Sequence, residues 1–408
     1  MTSQFEAEQY PGSPRILFIG PGDSSHTHSW IDLLKGEPFN VRLFTSSDAL
    51  PPDEWQVKTY VTAYGCSRLD PESRVRLFDS GKIGRFVGRA TARLRGQSWN
   101  GRGLASEWLP EIITKWRPDV IHTLGLDAAV FYLRAHQRPG SERIGKWVLQ
   151  TRGGSDLALT HLDPERAVHI GYVLRACDQL LSDNLENFRI ARELGLKETQ
   201  FASIAPVPGT GGIDVEQLAR RWQGAPSRRR VILWPKAYET PWGKALPIFE
   251  ALKLCWDRIQ PTEVHLLSAD AEVRTWFWTL PEHIRRSCRI SDRVPRARAL
   301  ELMTEARVML APSLVDGVPN SMYEAMASGA FPIVSPLDTI RPLVENERNV
   351  LFARNLYPDE IAEALCRAMS EDSMVDEAAD RNLEIVRRIA DRAKIKPRVI
   401  EYYEKLAK

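Results

Sequence analysis

The sequence contains no Cys-x-x-Cys pair and no Asp-x-Asp triplet. Its five cysteines, Cys66, Cys177, Cys255, Cys288 and Cys366, are odd in number and scattered. That pattern fits free thiols in a reducing compartment, not a disulfide framework or a zinc site. No apolar run reaches the roughly 18 residues needed to span a bilayer. Charge of one sign is missing too: 55 basic residues face 53 acidic ones, for a net charge of +2. Such a balance argues against a dedicated nucleic-acid binder. Residues 1–13, MTSQFEAEQYPGS, lack the apolar core of a signal peptide. A cytoplasmic protein is therefore expected.

What the chain does have is length and alternation. Its 408 residues exceed one ordinary core, and two domains of roughly 150–200 residues each are expected. Short β-prone runs recur: RILFIG (15–20), NVRLFTSS (40–47), DVIHTLG (119–125), KWVLQTRGG (146–154) and DQLLSDN (178–184). Helical patterns such as WIDLLK lie between them, and SSHTHS reads as a polar loop. Residues 206–230, rich in Gly, Pro and Arg, read as a linker. The alternation then restarts with RVILWPKAY, GKALPIFEALKLCWDRI and EVHLLSAD. Strands alternating with helices predict parallel sheets covered on both faces, here two doubly wound α/β domains. Their expected extents are 1–206 and 207–385, with a final helix over 386–408 packing back on the first domain. Ligands of such sheets bind beyond the carboxyl ends of the strands, in the cleft between domains.

One stretch concentrates the chemistry: VDGVPNSMYEAMASGAFPIV, residues 315–334, with Asp316 and Glu324 separated by seven residues. Two readings stand side by side. In the first, Ser321 and Glu324 form a capping box, Gly329 stops the helix, and Met322, Ala325 and Met326 face the core. In the second, free amides at the helix start receive a phosphate, Gly317 lets the backbone approach it, and the two acids accept from sugar or ribose hydroxyls.

PSLVDGVPNSMYEAMASGAFPIVS (312–335) resembles the signature of retaining glycosyltransferases of family 4, which have the GT-B fold: E-x(7)-E within PSxxEGxPxxxxEAMAxGxPVV. The first acid is Asp316 here, one methylene shorter. RPDVIHTLG, ACDQLLSDNLENFRIARELGL, GTGGIDVEQL and PLVENERNVLFARNLYPDEIAEAL are similar to further family segments, in the family's order. The resemblance implies a retaining transferase whose substrate is a nucleoside-diphosphate sugar, UDP or GDP, with no cofactor and no metal. It implies that Glu324 holds the ribose and that Asp316 contacts the transferred sugar. Gly317, Asn320 and Ser321 would serve the phosphate and sugar. Lys236 and Lys244 stand near the family's Arg and Lys that clamp the diphosphate, at longer spacing. Val294 lies in the base-binding loop, where backbone groups read the base.

In the first domain, Arg152, in TRGGSD (151–156), occupies the place of the family's His, as sugar ligand or as an ordinary strand-end residue. Gly22 lies in the first glycine-containing loop, and His26 and His28 are candidates for the acceptor. The acceptor class implied is a saccharide or a lipid-linked saccharide. Between Arg74 and Arg102 stand eight basic residues and one acid; Lys82, Arg85, Arg89 and Arg93 at helical spacing form either a membrane-surface face or a surface helix packed on its own domain. The alternatives to a transferase are a GT-B epimerase acting on a nucleotide-sugar and a non-catalytic relative that binds one.

Overall fold

The computed structural model describes residues 5–46, 50–61, 74–77, 102–136, 143–153, 155–222 and 224–408. Cys66, Gly154 and most of the basic segment 74–102 lie outside them. Among the described residues the first domain contains strands β1 (Arg15–Gly20), β2 (Asn40–Thr45), β3 (Lys58–Val61), β4 (Val75–Leu77), β5 (Val120–Leu124), β6 (Lys146–Thr151) and β7 (Gln179–Ser182). They lie in the order β4-β3-β2-β1-β5-β6-β7, each pair parallel. The second domain contains β8 (Val231–Trp234), β9 (Glu263–Leu266), β10 (Cys288–Ile290), β11 (Ala306–Ala311), β12 (Phe331–Val334) and β13 (Leu351–Phe352). Their order is β10-β9-β8-β11-β12-β13, again parallel.

The apolar runs explain the layers. In β1, Leu17 and Ile19 enter one core cluster while Ile16 and Phe18 enter another. In β11, Val308 and Leu310 face one cluster and Met309 the other. Period-two alternation between two dry faces is what a sheet covered on both sides demands. The strand order reverses between β1 and β5 in one sheet and between β8 and β11 in the other. Those switch points open the crevices where ligands bind in this class of sheet.

The chain crosses between domains twice, and the two crossings are tied together. The Ile213 amide donates to Ala390 O (2.8 Å), and the Arg392 amide to Ile213 O (2.9 Å). Helix Arg392–Leu406 then lies on the first sheet. Its Tyr403 hydroxyl accepts from Trp30 Nε1 (3.0 Å) and meets His122 Nδ1 at 2.5 Å, all three side chains being buried. Arg392 donates from Nη2 to Ser29 O (2.7 Å) and from Nη1 to Thr210 O (3.1 Å).

Two local expectations need correction. SSHTHS is not a loop: Ser25–Ile31 is helical, because Thr27, Trp30 and Ile31 recur at helical spacing and are buried. The helix extends no farther than this, and Asp32–Leu34 tightens into a 3-10 turn. GKALPIFEALKLCWDRI likewise splits into helix Leu246–Cys255 and a 3-10 turn, Trp256–Ile259.

Candidate functional site

The second-domain wall grows from β8 and β11. Lys236 stands two residues beyond β8, and Asp316 lies in the loop between β11 and the helix Asn320–Ala327. Lys236 Nζ donates to Asp316 Oδ2 at 2.9 Å. Burial opposes the Lys236 ammonium most strongly, but Asp316, Tyr238 and Glu324 together outweigh it and hold its pKa above the ordinary lysine value. Asp316 Oδ1 accepts from the Gly317 amide (2.9 Å). Thr339 Oγ1 is within hydrogen-bond reach of Asp316 O (3.0 Å) and Gly317 O (3.2 Å), which pins the loop.

Lys244 is set differently. Its amide donates to Asn355 Oδ1 (2.8 Å), while Asn355 Nδ2 lies 3.0 Å from both Lys244 O and Pro312 O. Its ammonium pairs with Glu239 Oε1 at 2.8 Å. Leu314 donates to Trp242 O (2.7 Å), joining the Asp316 loop to the loop that carries both lysines. Lys236, Lys244, Trp242, Tyr238, Ser313 and Asp316 line a cavity of about 130 Å³ that Gly153 of the first domain also borders.

The helix carrying Glu324 is not capped as its Ser-x-x-Glu pattern predicts. Pro319 takes the N-cap, no side chain caps the helix, and the Ser321 hydroxyl is buried without a partner among the described residues. That start places Glu324 at the fifth helical residue, too deep to reach back to the first amides. Glu324 Oε1 instead pairs with Arg296 Nη2 at 2.8 Å. Burial raises its pKa, with Arg296 and then Lys236 holding the rise back. Asn320 Oδ1 accepts from Thr210 Oγ1 of the interdomain segment (3.0 Å). The core face is as expected: Met322, Ala325 and Met326 are fully buried. Gly329, at φ +76°, ends the helix, and the Ala330 amide returns to Ala325 O (2.9 Å). Val294 lies in the loop before helix Arg296–Glu305, half-buried against the core.

The opposite wall belongs to the first domain. Gly22 O accepts from His28 Nε2 (2.6 Å), and the His28 ring stacks on Trp55 with centroids 4.1 Å apart. His28 thus lines a larger cavity of about 1030 Å³ with Trp55, Trp116 and Arg42. His26, on the same helix, keeps solvent access, yet both domains crowd it. Burial holds its pKa down at about 4, with Arg152, Lys236 and Arg296 acting in the same direction and Asp316 opposing them. The structure therefore brings His26 to the cationic side of the cleft and His28 elsewhere.

Arg152 follows β6. Its amide donates to Asp156 Oδ2 (2.6 Å), and the Gly153 amide to Asp183 Oδ2 (3.3 Å). Burial lifts Asp156 to about 7 and Asp183 to about 6. The walls meet at a pair of glycines. A Cβ on Gly317 would lie 2.5 Å from Gly153 Cα and 2.8 Å from Asp183 Oδ2. So Gly317 is required for close approach between backbones of different domains.

Two parallel-sheet domains meeting at such a crevice define the GT-B fold. Residues 240–371, within the second domain, match the family described as Glycosyl transferases group 1. The chain is similar to sucrose-phosphate synthase of Thermosynechococcus elongatus at 16% identity and TM-score 0.70, over 96% of this chain and 99% of that one. It is similar to HepE of Anabaena, solved with UDP, at 13% identity and TM-score 0.65, over 96% and 100%. The α,α-trehalose-phosphate synthase (UDP-forming) of Burkholderia vietnamiensis gives 12% identity and TM-score 0.62, over 96% and 100%. No curated protein sequence matches the chain significantly.

Arg296, Glu239, Asn355, Thr339 and Asp183 were not visible as site residues in the sequence. Only Asp183 had a signal, its place at the end of a strand facing the cleft.

Proposed function

We propose that the protein transfers a sugar from a nucleoside-diphosphate sugar to a saccharide or lipid-linked acceptor, with retention of configuration and without a metal ion. The observation that carries this reading is the union of Lys236, Asp316 and Glu324 on one wall of the interdomain cleft, with Gly153 pressed against Gly317 from the other. Glu324 accepts from the ribose hydroxyls, in exchange with Arg296. Lys236, Lys244 and the first amides of helix 320–327 hold the diphosphate. Asp316 orients the sugar while keeping Lys236 charged. Val294 lies beside the base, and Gly22 and His26 border the acceptor.

Retention is supported by the likeness of residues 312–335 to the family-4 signature. In a front-face displacement the bond from the anomeric carbon to the diphosphate breaks. The acceptor oxygen bonds to that carbon on the same face, and its proton passes to the departing phosphate oxygen. The protein supplies position and charge: the lysines oppose the negative charge that grows on the leaving group. UDP is favoured as the first donor to test, because one structural neighbour is solved with UDP and another is named for forming it.

A thermal-shift screen of UDP-, GDP-, ADP- and dTDP-sugars tests donor binding, since a ligand of the native state stabilises it by mass action. No stabilisation by any of them contradicts the proposal. One observation favours a second reading. Asp156, Asp183 and His26 set proton-exchanging groups near the sugar end of the cleft, as an epimerase would need. Incubating donor without acceptor and separating the sugar epimers distinguishes the two.

Association with a membrane face remains part of the proposal through the basic segment 74–102. Among the described residues no helix is long and apolar enough to cross a membrane. Liposome pelleting with Arg85→Glu and Arg89→Glu tests it; unchanged pelleting removes the membrane reading.

A further inference from the structure

The cleft contains one cation that the diphosphate does not need. Lys236, Lys244 and Arg296 each face a carboxylate, namely Asp316, Glu239 and Glu324. Arg152 makes no ion pair among the described residues. Its side chain has one hydrogen bond, Nη2 to Gln150 Oε1 at 3.4 Å, and its Nε is buried with no partner. The nearby acids attract the guanidinium but hydrogen-bond elsewhere: Asp156 accepts from the Arg152 amide, and Asp183 from the Gly153 amide and Asn184 Nδ2.

Other unmet polar atoms surround the same place. Gln150 Nε2, His122 Nε2 and Thr27 Oγ1 lack partners among the described residues, and all three side chains are fully buried. Gln150 in β6 and Arg152 just beyond its end are two residues apart, and their side chains meet at 3.4 Å. Gln150 is in register with Leu124, and His122 with Val148. A Cβ on Gly20 would lie 3.0 Å from Leu124 Cβ and 3.5 Å from Thr27 Oγ1. Unpartnered polar groups from β5, β6 and helix 25–31 therefore lie toward the carboxyl end of the first sheet, close enough for the Arg152 charge to act on His122 and on His26.

Buried polar groups in native proteins are almost always hydrogen-bonded, and buried charges are paired. The unpartnered donors Gln150 Nε2 and Arg152 Nε, beside a buried guanidinium, ask for a group with several acceptor oxygens and negative charge. Carboxylate and phosphate both match the guanidinium fork. The donor's diphosphate has cations of its own in Lys236 and Lys244 of the second domain, whereas Arg152 and Gln150 belong to the first. We infer that Arg152 and Gln150 bind an anionic group, carboxylate or phosphate, on the sugar side of the reaction. It belongs either to the transferred sugar or to the acceptor. The assignment of that group to a substrate rests on the nucleotide-sugar reading; the anion site itself does not.

Calorimetric titration of the full chain separates the cases. The donor arm compares UDP-glucuronate with UDP-glucose and UDP-galacturonate with UDP-galactose. The acceptor arm compares glucose 6-phosphate with glucose, with and without UDP. The inference expects at least about a tenfold preference for the charged member in one arm, the scale of a charge-assisted pair. Preference in the donor arm places the anion on the transferred sugar; preference in the acceptor arm places it on the acceptor. Arg152→Met should erase the preference, Arg152→Lys should keep part of it, and UDP affinity should move less than about threefold in both. Gln150→Glu, which sets a like charge against the anion, should erase it as well and decides the matter if Arg152→Met does not fold. No preference in either arm, or a preference that survives Arg152→Met, overturns the inference. Failure of UDP to bind would instead count against the nucleotide-sugar reading, and the glucose 6-phosphate titration without UDP would still test the anion site.

Discussion

Lys236 and Asp316, 80 residues apart in sequence, meet at 2.9 Å where the loops after β8 and β11 converge. The pair has two effects. It keeps the lysine protonated, and it ties a positive charge to the loop that carries Gly317 across the cleft. Replacing Lys236 by Met should lower kcat by roughly a hundredfold or more, the usual cost of one group that stabilises developing negative charge. KM for the donor should change much less. Steady-state kinetics over a donor series checks this; an unchanged kcat would remove Lys236 from the leaving-group role.

Gly317 touches the other domain with its backbone. A methyl group there would press on Gly153 Cα and on Asp183 Oδ2, at 2.5 and 2.8 Å. Backbone cannot yield as the tip of a flexible side chain can. Gly317→Ala should therefore hold the domains apart, cut turnover by at least about tenfold through misplacement of the reacting groups, and leave the melting temperature nearly unchanged. Small-angle scattering should report a larger radius of gyration for the variant with donor than for the native chain with donor. Equal radii and equal turnover would show that the glycine contact does not govern closure.

Asp156 titrates near neutrality because burial raises it to about 7. Its native state therefore holds a proton that the unfolded chain releases at an ordinary carboxyl pKa. Between about pH 4 and pH 7 the native state binds more protons at this site, so Asp156 makes stability fall as pH rises. Asp183, raised to about 6, works in the same direction, and His26, lowered to about 4, in the opposite one over about pH 4 to 6.5, so the whole-protein profile mixes all three. The difference between native chain and Asp156→Asn isolates one of them. The variant's melting temperature, relative to the native chain, should rise as pH goes from 5 to 8. A constant or falling difference would contradict the raised pKa.

How far the sequence disclosed this site depends on how local each feature is. The alternation of apolar runs is local, and both sheets were legible from it. Gly329 as a helix stop and the core face of Met322, Ala325 and Met326 were legible for the same reason. The Ser321–Glu324 pattern misled, because Pro319 starts the helix too early for Glu324 to cap it. The helix at 25–31 was hidden by its polar residues; its three buried positions only become evident once the sheet and helix 392–406 cover them. The partners that tune the site were not legible. Arg296 is 28 residues from Glu324, and Asn355 is 111 from Lys244. No short-range pattern links such pairs; the order of β8, β11 and β13 in the sheet brings them together.

Glu324 and the helix it stands on are proposed to receive a nucleoside diphosphate at the cleft. Calorimetric titration of the stabilising nucleotide into native chain and Glu324→Ala tests it most directly. The variant should bind about 10- to 100-fold more weakly, as loss of charge-assisted hydrogen bonds to the ribose requires. Equal affinity in the two proteins would contradict it.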